Sequence, residues 1–302
     1  MKHALRISGI IWIVSGAIAV FGAATAHADA SSGSSGQYYR VVAPPREKPA
    51  IGEQDFGSVA AFLTKVTGHK FVYEQPSNWL QYQSWVWQNY GDVYFDGPHF
   101  VAWRLHNQGA TLGPRLPQPQ DWRIFTWAGN SQLKTISDAT GAIFCAPPPP
   151  NFGTLWAQTL FTNPSEQPYI LNTKGWDNIY KGVVSHKCAI GVTPKVTLNH
   201  MDPNHMQTTI IQRGPHFPNQ AFSLSRSLPP DLQQQIISAL LSPAGETVLM
   251  PLRKRFTAGR PFVAGLADQY KDVDQGLDDY WNPIFGPEIK KDLEKASSTQ
   301  RQ

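Results

Sequence analysis

The 302-residue chain has no run of more than three lysines and arginines, so nothing in it recommends a nucleic-acid partner. It contains no G-x-S-x-G, no H-E-x-x-H and no pair of carboxylates at telling positions, which argues against a hydrolase, a zinc protease or a glycosidase. Beyond residue 24 no apolar run approaches the length that spans a bilayer. Charge is sparse at 16% of residues, and cysteine is nearly absent, with only Cys145 and Cys188. Both cysteines read as structural rather than nucleophilic. In an oxidising compartment an even pair reads as one disulfide bond, the alternative being two separate buried thiols.

What the chain does have begins at its N-terminus. Lys2 and Arg6 precede an apolar run from Ile7 to Ala24, closed by Ala26-His27-Ala28. A basic start, an apolar middle and small residues at the end make a cleavable signal peptide over 1–28, the alternative being an uncleaved anchor helix. No cysteine stands directly after the cleavage site, so no lipid anchor is expected, and export to the periplasm is. Losing Lys2 and Arg6 takes the formal charge from +4 to +2, so the basic balance says little about partners. Residues 29–37 are Ser/Gly-rich and read as a flexible leader. Ten tryptophans and 25 prolines are more than a core alone requires, which leaves some of the tryptophans for a pocket.

The patterning predicts strands over 38–43, 70–74 and 92–95, alternating with helices over 56–67, stopped by Gly68, and from Ser77 or Asn78 to Val86. This β-α-β-α-β order points to a parallel sheet covered by helices. A second such set follows, with strands over 123–127, 142–146, 169–171 and 188–192 and helices over 154–161 and 176–184. Strands over 208–212 and 222–225 return the chain to helices over 232–241, 264–269 and 274–281. Two α/β lobes place a ligand at the carboxyl ends of their strands, in the cleft between them.

The stretch Gly91-Asp-Val-Tyr-Phe-Asp-Gly-Pro-His-Phe100 resembles the DVA-x-x-GP segment of phosphate, phosphite and phosphonate ABC-transporter substrate-binding proteins. Leu63–Gly68, Phe144–Pro147, Pro215–Asn219, Ser225–Leu232 and Asp268–Tyr270 are similar to other segments of that family in the same order, over about residues 38–282. The resemblance implies an α/β, type 2 periplasmic-binding fold with mixed, mainly parallel sheets and two hinge crossings. These are expected near Trp127–Asn130 and Gln212–Phe217. Lobe 1 is expected over 38–127 plus 217–286, lobe 2 over 128–216, and a charged tail over 287–302. It further implies a monomer that traps a small anion for a membrane permease without a cofactor and without catalysing a reaction. A sensory protein serving a membrane receptor is the alternative destination.

Carried onto this chain, the resemblance ends a strand at the cleft floor, where Pro98 turns the backbone and His99 faces the ligand, the alternative being a satisfied buried histidine. Asn151, Phe152, Gly153 and Thr154 stand where the family has a Ser/Thr-rich turn opening a helix, a place suited to anions, the alternative being an ordinary helix capped by Asn151. Phe152 replaces a hydroxyl residue there, which favours a partly apolar anion. Arg46 in the first loop offers a planar fork to an oxyanion, Asn78 and Trp79 close one wall, and Thr193 and Lys195 follow the strand at 188–192. A lysine there argues against a ligand with an amino group. Foreign to the family pattern is Asn199–Met206, where His200, Met201, His205 and Met206 surround Asp202. These ligand types suit copper, and a polar loop at a helix end is the other reading.

Overall fold

The computed structural model describes residues 38–281. The expected signal peptide, leader and charged tail lie outside the described residues. Among the described residues no helix is long and apolar enough to cross a membrane.

β1 (Tyr39–Val42) stops at Pro44-Pro45, where the ladder loses its donors. A short helix α1 (Pro49–Gly52) and a π-helical turn (Glu53–Gly57) lead into α2 (Ser58–Thr67). Gly68 ends α2 with a left-handed φ of 74°, a conformation that favours a residue without Cβ. β2 (Phe71–Glu74), α3 (Trp79–Trp87) and β3 (Val93–Asp96) complete the first set, with β1 parallel to both β2 and β3. Two elements that the sequence pattern did not announce follow, α4 (Pro98–Gln108) and β4 (Thr111–Arg115). The Gly-Pro corner is thus a helix start, with Pro98 in the first turn, where its missing N–H costs nothing.

From β4 the chain crosses at 116–121 to β5 (Trp122–Trp127), which pairs antiparallel with strands of the second sheet. This corrects the expected boundary: the strand expected in lobe 1 belongs to lobe 2, and the first crossing precedes it. The segment Leu116-Pro-Gln-Pro119 is the true break, since prolines interrupt pairing. β6 (Ile143–Ala146), α5 (Phe152–Thr159), β7 (Tyr169–Asn172), α6 (Trp176–Val184), β8 (Ile190–Pro194), α7 (Lys195–Met201) and β9 (Thr208–Arg213) build the second lobe. The chain recrosses at 214–220 into β10 (Ala221–Leu224). It then forms α8 (Pro230–Leu241), α9 (Pro243–Val248), α10 (Met250–Thr257) and α11 (Gln275–Trp281). The helix expected at 264–269 is a 3-10 turn, Ala267–Tyr270.

The two sheets share one plan. Their orders are β2-β1-β3-β10-β4 and β7-β6-β8-β5-β9. In each, three parallel strands are followed by one antiparallel strand that has just arrived from the other lobe. The outermost strand of that side leads the chain away again. The crossings are tied side by side: Leu116 N donates to Gln220 O (2.9 Å) and Gln120 N to Phe217 O (2.8 Å). Phe56, Leu63, Phe95, Phe222 and Ile236 centre the first core, and Ile124, Phe144, Ile190 and Val192 the second. α11 packs against both α4 and α5 and so spans the seam, with Trp281 against Phe100 and Trp103.

Each lobe carries one internal staple. In the first, Arg104 Nη2 donates to both oxygens of Asp96 (2.9 Å each) and its Nε to Ser223 Oγ (2.9 Å). The Tyr82 hydroxyl donates to the same carboxylate, and the Arg104 guanidinium lies 4.2 Å from the Tyr94 ring centre. In the second, Cys145 and Cys188 form a disulfide with Cα atoms 5.6 Å apart. Gly182 of α6 lies against it, and a Cβ there would stand 2.7 Å from Cys145 Sγ.

Candidate functional site

A cleft of about 1110 Å³ opens between the lobes. Its lining comes from the places where parallel strands deliver the chain to helices: Pro44 and Arg46 after β1, Gly97–Phe100 after β3, Pro147–Phe152 after β6, and Pro194–Thr197 after β8. The crossings at 118–121 and 219–220 also line it. Such strand ends are where open α/β sheets bind ligands.

Of the residues expected at the site, Arg46, Trp79, Pro98, His99, Asn151, Phe152 and Lys195 line the cleft. Asn78, Gly153, Thr154 and Thr193 do not. Asn78 caps α3, accepting from Gln81 N (2.9 Å). Gly153 lies under the Trp122 ring, where a Cβ would meet ring carbons at 2.3 Å. Thr154 is fully buried and its hydroxyl donates to Pro147 O (2.7 Å). Thr193 is fully buried in β8.

The expected anion cradle at the start of α5 is satisfied from within. Asn151 Oδ1 accepts from Gly153 N (3.0 Å) and Thr154 N (3.4 Å), taking two of the amides a helix start would offer an anion. Phe152 stacks on His99, with planes 13° apart and centroids 5.2 Å apart. His99 itself is 4% exposed. Its Nε2 lies 3.0 Å from Pro150 O, and because a carbonyl only accepts, Nε2 carries the proton. Burial pushes the imidazole pKa down to about 3, so the ring is neutral and Nδ1 holds a lone pair. The single N–H of His99 therefore joins the first lobe to the second and is not offered to a ligand.

Positive charge comes from elsewhere. Arg255, Phe256 and Arg260, at and beyond the end of α10, line the cleft, as does Trp176 at the start of α6. Sequence reading missed all four. Trp176 occupies the same strand-to-helix position as Phe152, and that rule would have found it. The α10 residues come from a helix remote in sequence, without a local mark. Arg255 is neutralised by Glu47 (3.0 Å) and Asp55. Arg46 Nη1 donates to Gln220 Oε1 (2.5 Å). Arg260 Nε and Nη1 donate to the Gln118 side-chain oxygen (3.1 and 3.0 Å), with that amide turned to face them. Gln220 N donates to Asn219 Oδ1 and Asn219 Nδ2 to Gln118 O, both at 2.8 Å. The two guanidiniums thus sit at the ends of one hydrogen-bonded arc over the crossings. Among the described residues no acidic side chain pairs with Arg46, Arg260 or Lys195. The acid lining the cleft is Asp121, which faces His216 Nδ1 at 2.6 Å.

The His/Met segment forms the end of α7 and the turn after it. His200, His205 and Met206 are exposed. Asp202 accepts from Met206 N (2.9 Å), Gln207 N (3.1 Å) and Thr208 Oγ1 (2.7 Å). Burial opposes its charge, but these donors hold its carboxyl below the usual range. The segment is a turn organised by a carboxylate. Among the described residues no three His, Cys, Asp or Glu side chains are grouped to hold a metal ion.

A family model described as "ABC transporter, phosphonate, periplasmic substrate-binding protein" matches residues 41–270. Among solved structures, XAC2383 from Xanthomonas citri bound to ATP is 14% identical over 80% of this chain and 97% of that one, with a TM-score of 0.62. PhnD1 from Prochlorococcus marinus in complex with methylphosphonate is 12% identical over 80% of this chain and 98% of that one, with a TM-score of 0.54. The fold is thereby a two-lobe, type 2 periplasmic-binding fold, as the sequence led us to expect. No curated protein sequence matches significantly.

Proposed function

Because this chain belongs to the family of periplasmic substrate-binding proteins of phosphonate ABC transporters, whose members bind rather than transform their solute, we propose that it captures an oxyanion in the interlobe cleft and presents it to a membrane permease. One observation carries the anion: Arg46, Arg260 and Lys195 line the cleft without acidic partners, against a single carboxylate that already faces a histidine. A guanidinium offers a planar fork of donors to an oxyanion, and two of them on one arc define a receiving edge. The carried family site, the start of α5, is closed by Asn151, so the grip in this reading belongs to the arc and not to the helix terminus. Export by the N-terminal signal peptide and action as a monomer complete the proposal. Closure follows the hinge mode of two-lobed binders, bending at 116–121 and 214–220.

The test is a thermal-shift screen with phosphate, phosphite, phosphonates, sulfonates, carboxylates and thiosulfate. A ligand at a hundred times its dissociation constant adds about 2.7 kcal/mol of stability. A shift with at least one oxyanion that is lost in Arg46→Gln/Arg260→Gln is the expected result. A flat response to all of them contradicts anion capture.

A further inference from the structure

The walls of the cleft differ in kind from its charged arc. On the first lobe Trp79 stacks on Phe100, with centroids 6.1 Å apart and planes 15° apart. On the second lobe Trp176 meets Trp122 edge to face at 5.9 Å. Phe100 and Trp122 are buried, whereas Trp79 is 37% exposed and Trp176 half-buried. All four rings line the cleft. Each lobe therefore holds one partly open indole against a buried ring, so its position is fixed before any ligand arrives. A volume of about 1110 Å³ lies just above the range of sites for drug-sized molecules, about 300 to 1,000 Å³, and leaves room for more than a bare oxyanion. A bare, hydrated oxyanion would leave that volume wet and gain nothing from the indoles. A planar ring would bury apolar area on both of them and stack as aromatic pairs do.

We infer that the captured solute is an oxyanion carried on a flat apolar ring, an arylphosphonate or its sulfonate or carboxylate counterpart. The ring lies between Trp79 and Trp176, and the oxyanion rests on the arc of Arg46 and Arg260. This rests on the anion-capture reading above and adds the body of the ligand to it.

Calorimetric titration of the full chain with three matched pairs tests it: methylphosphonate and phenylphosphonate, methanesulfonate and benzenesulfonate, acetate and benzoate. The ring-bearing member of at least one pair should bind at least about tenfold more tightly, the gain expected from an aromatic pair plus buried area. The best pair identifies the head group. Trp79→Ala and Trp176→Ala should each remove most of that preference, read as the ratio of the two affinities within the best pair. Trp79→Phe should restore it, which separates stacking from lost folding. The wild-type comparison decides the matter even if a tryptophan variant unfolds. Equal or reversed affinities in every pair, or silence from all six compounds, overturn the ring; anion capture itself falls only if phosphate, phosphite and thiosulfate also fail to shift the melting temperature.

Discussion

The two lobes are built on one strand plan and held together by different chemistry. The first lobe fastens its core with charge: Arg104, 1% exposed, and Asp96, fully buried, share a bidentate contact that also recruits Tyr82 and Ser223. The second lobe has a covalent bond instead, between β6 and the turn that precedes β8. Their cleft-facing helix starts differ too. α4 begins at Gly97 without a side-chain cap, whereas α5 is capped by Asn151. A shared topology thus fixes where the strand ends meet, and side-chain chemistry decides what each end offers. On lobe 1 and the crossings the offer is cationic; on the α5 side of lobe 2 it is aromatic, prolyl and already hydrogen-bonded.

The comparison breaks most sharply in the first lobe. Burial works against the charge of Arg104, but Asp96 and its neighbours raise its pKa nonetheless, so the guanidinium stays ionised. Arg104→Met would leave Asp96 buried without its partner and should cost about 3–5 kcal/mol in denaturant unfolding. Adding Asp96→Leu should recover much of that loss, and a double variant as unstable as the single one would refute the ion-pair account. In the second lobe Cys145→Ala/Cys188→Ala opens a loop with a sequence separation of 43 residues. The expected loss is about 2–4 kcal/mol. Hydrogen exchange should rise in β6 and β8 while β1 and β3 stay protected; uniform loosening would mean the lobes do not carry separate staples.

The seam comes next. His99 is neutral in the folded chain because burial holds its pKa near 3, while the unfolded chain takes up a proton below about 6.5. Stability should therefore be unaffected by this group above that pH. It should fall by about 1.4 kcal/mol for each pH unit below it, levelling near 3. His99→Gln keeps a donor for Pro150 O and should flatten that part of the stability profile, measured as the difference between variant and parent from pH 6 to pH 5. An unchanged slope would place the titrating group elsewhere. The smallest effect is expected from Asn151→Ala, about 1 kcal/mol for a lost helix cap. Its ligand affinity should hold while stability drops, and a parallel loss of affinity would return Asn151 to the ligand.

The sequence made some of this plain and hid the rest for physical reasons. Gly68 as a helix stop, Asn78 and Asn151 as caps, the pairing of the cysteines and the doubled β-α-β order all leave local marks, and the structure contains each of them. α4 left none, because every residue from Pro98 to Arg104 is buried and no polar face reveals its period. α10 was hidden for the opposite reason, since Arg253-Lys-Arg255 interrupts any apolar stripe. The first crossing was misplaced because a strand's alternation does not say which sheet it joins. The cleft lining was legible at Arg46, Pro98 and Lys195, which follow strand ends, was missed at Trp176 although it does so too, and was illegible where tertiary contact alone brings it in, as at Arg260. His99 lines the cleft, but the hydrogen bond that occupies its N–H depends on Pro150, a partner 51 residues away that no local pattern announces.

The most direct test of cationic capture is a pair of calorimetric titrations, wild type and Arg46→Gln/Arg260→Gln, with the tightest oxyanion from the screen. Each charge-assisted hydrogen bond is worth about 1.5–3 kcal/mol, so the double variant should bind at least about a hundredfold more weakly with its melting temperature little changed. Wild-type affinity in the variant would contradict the account.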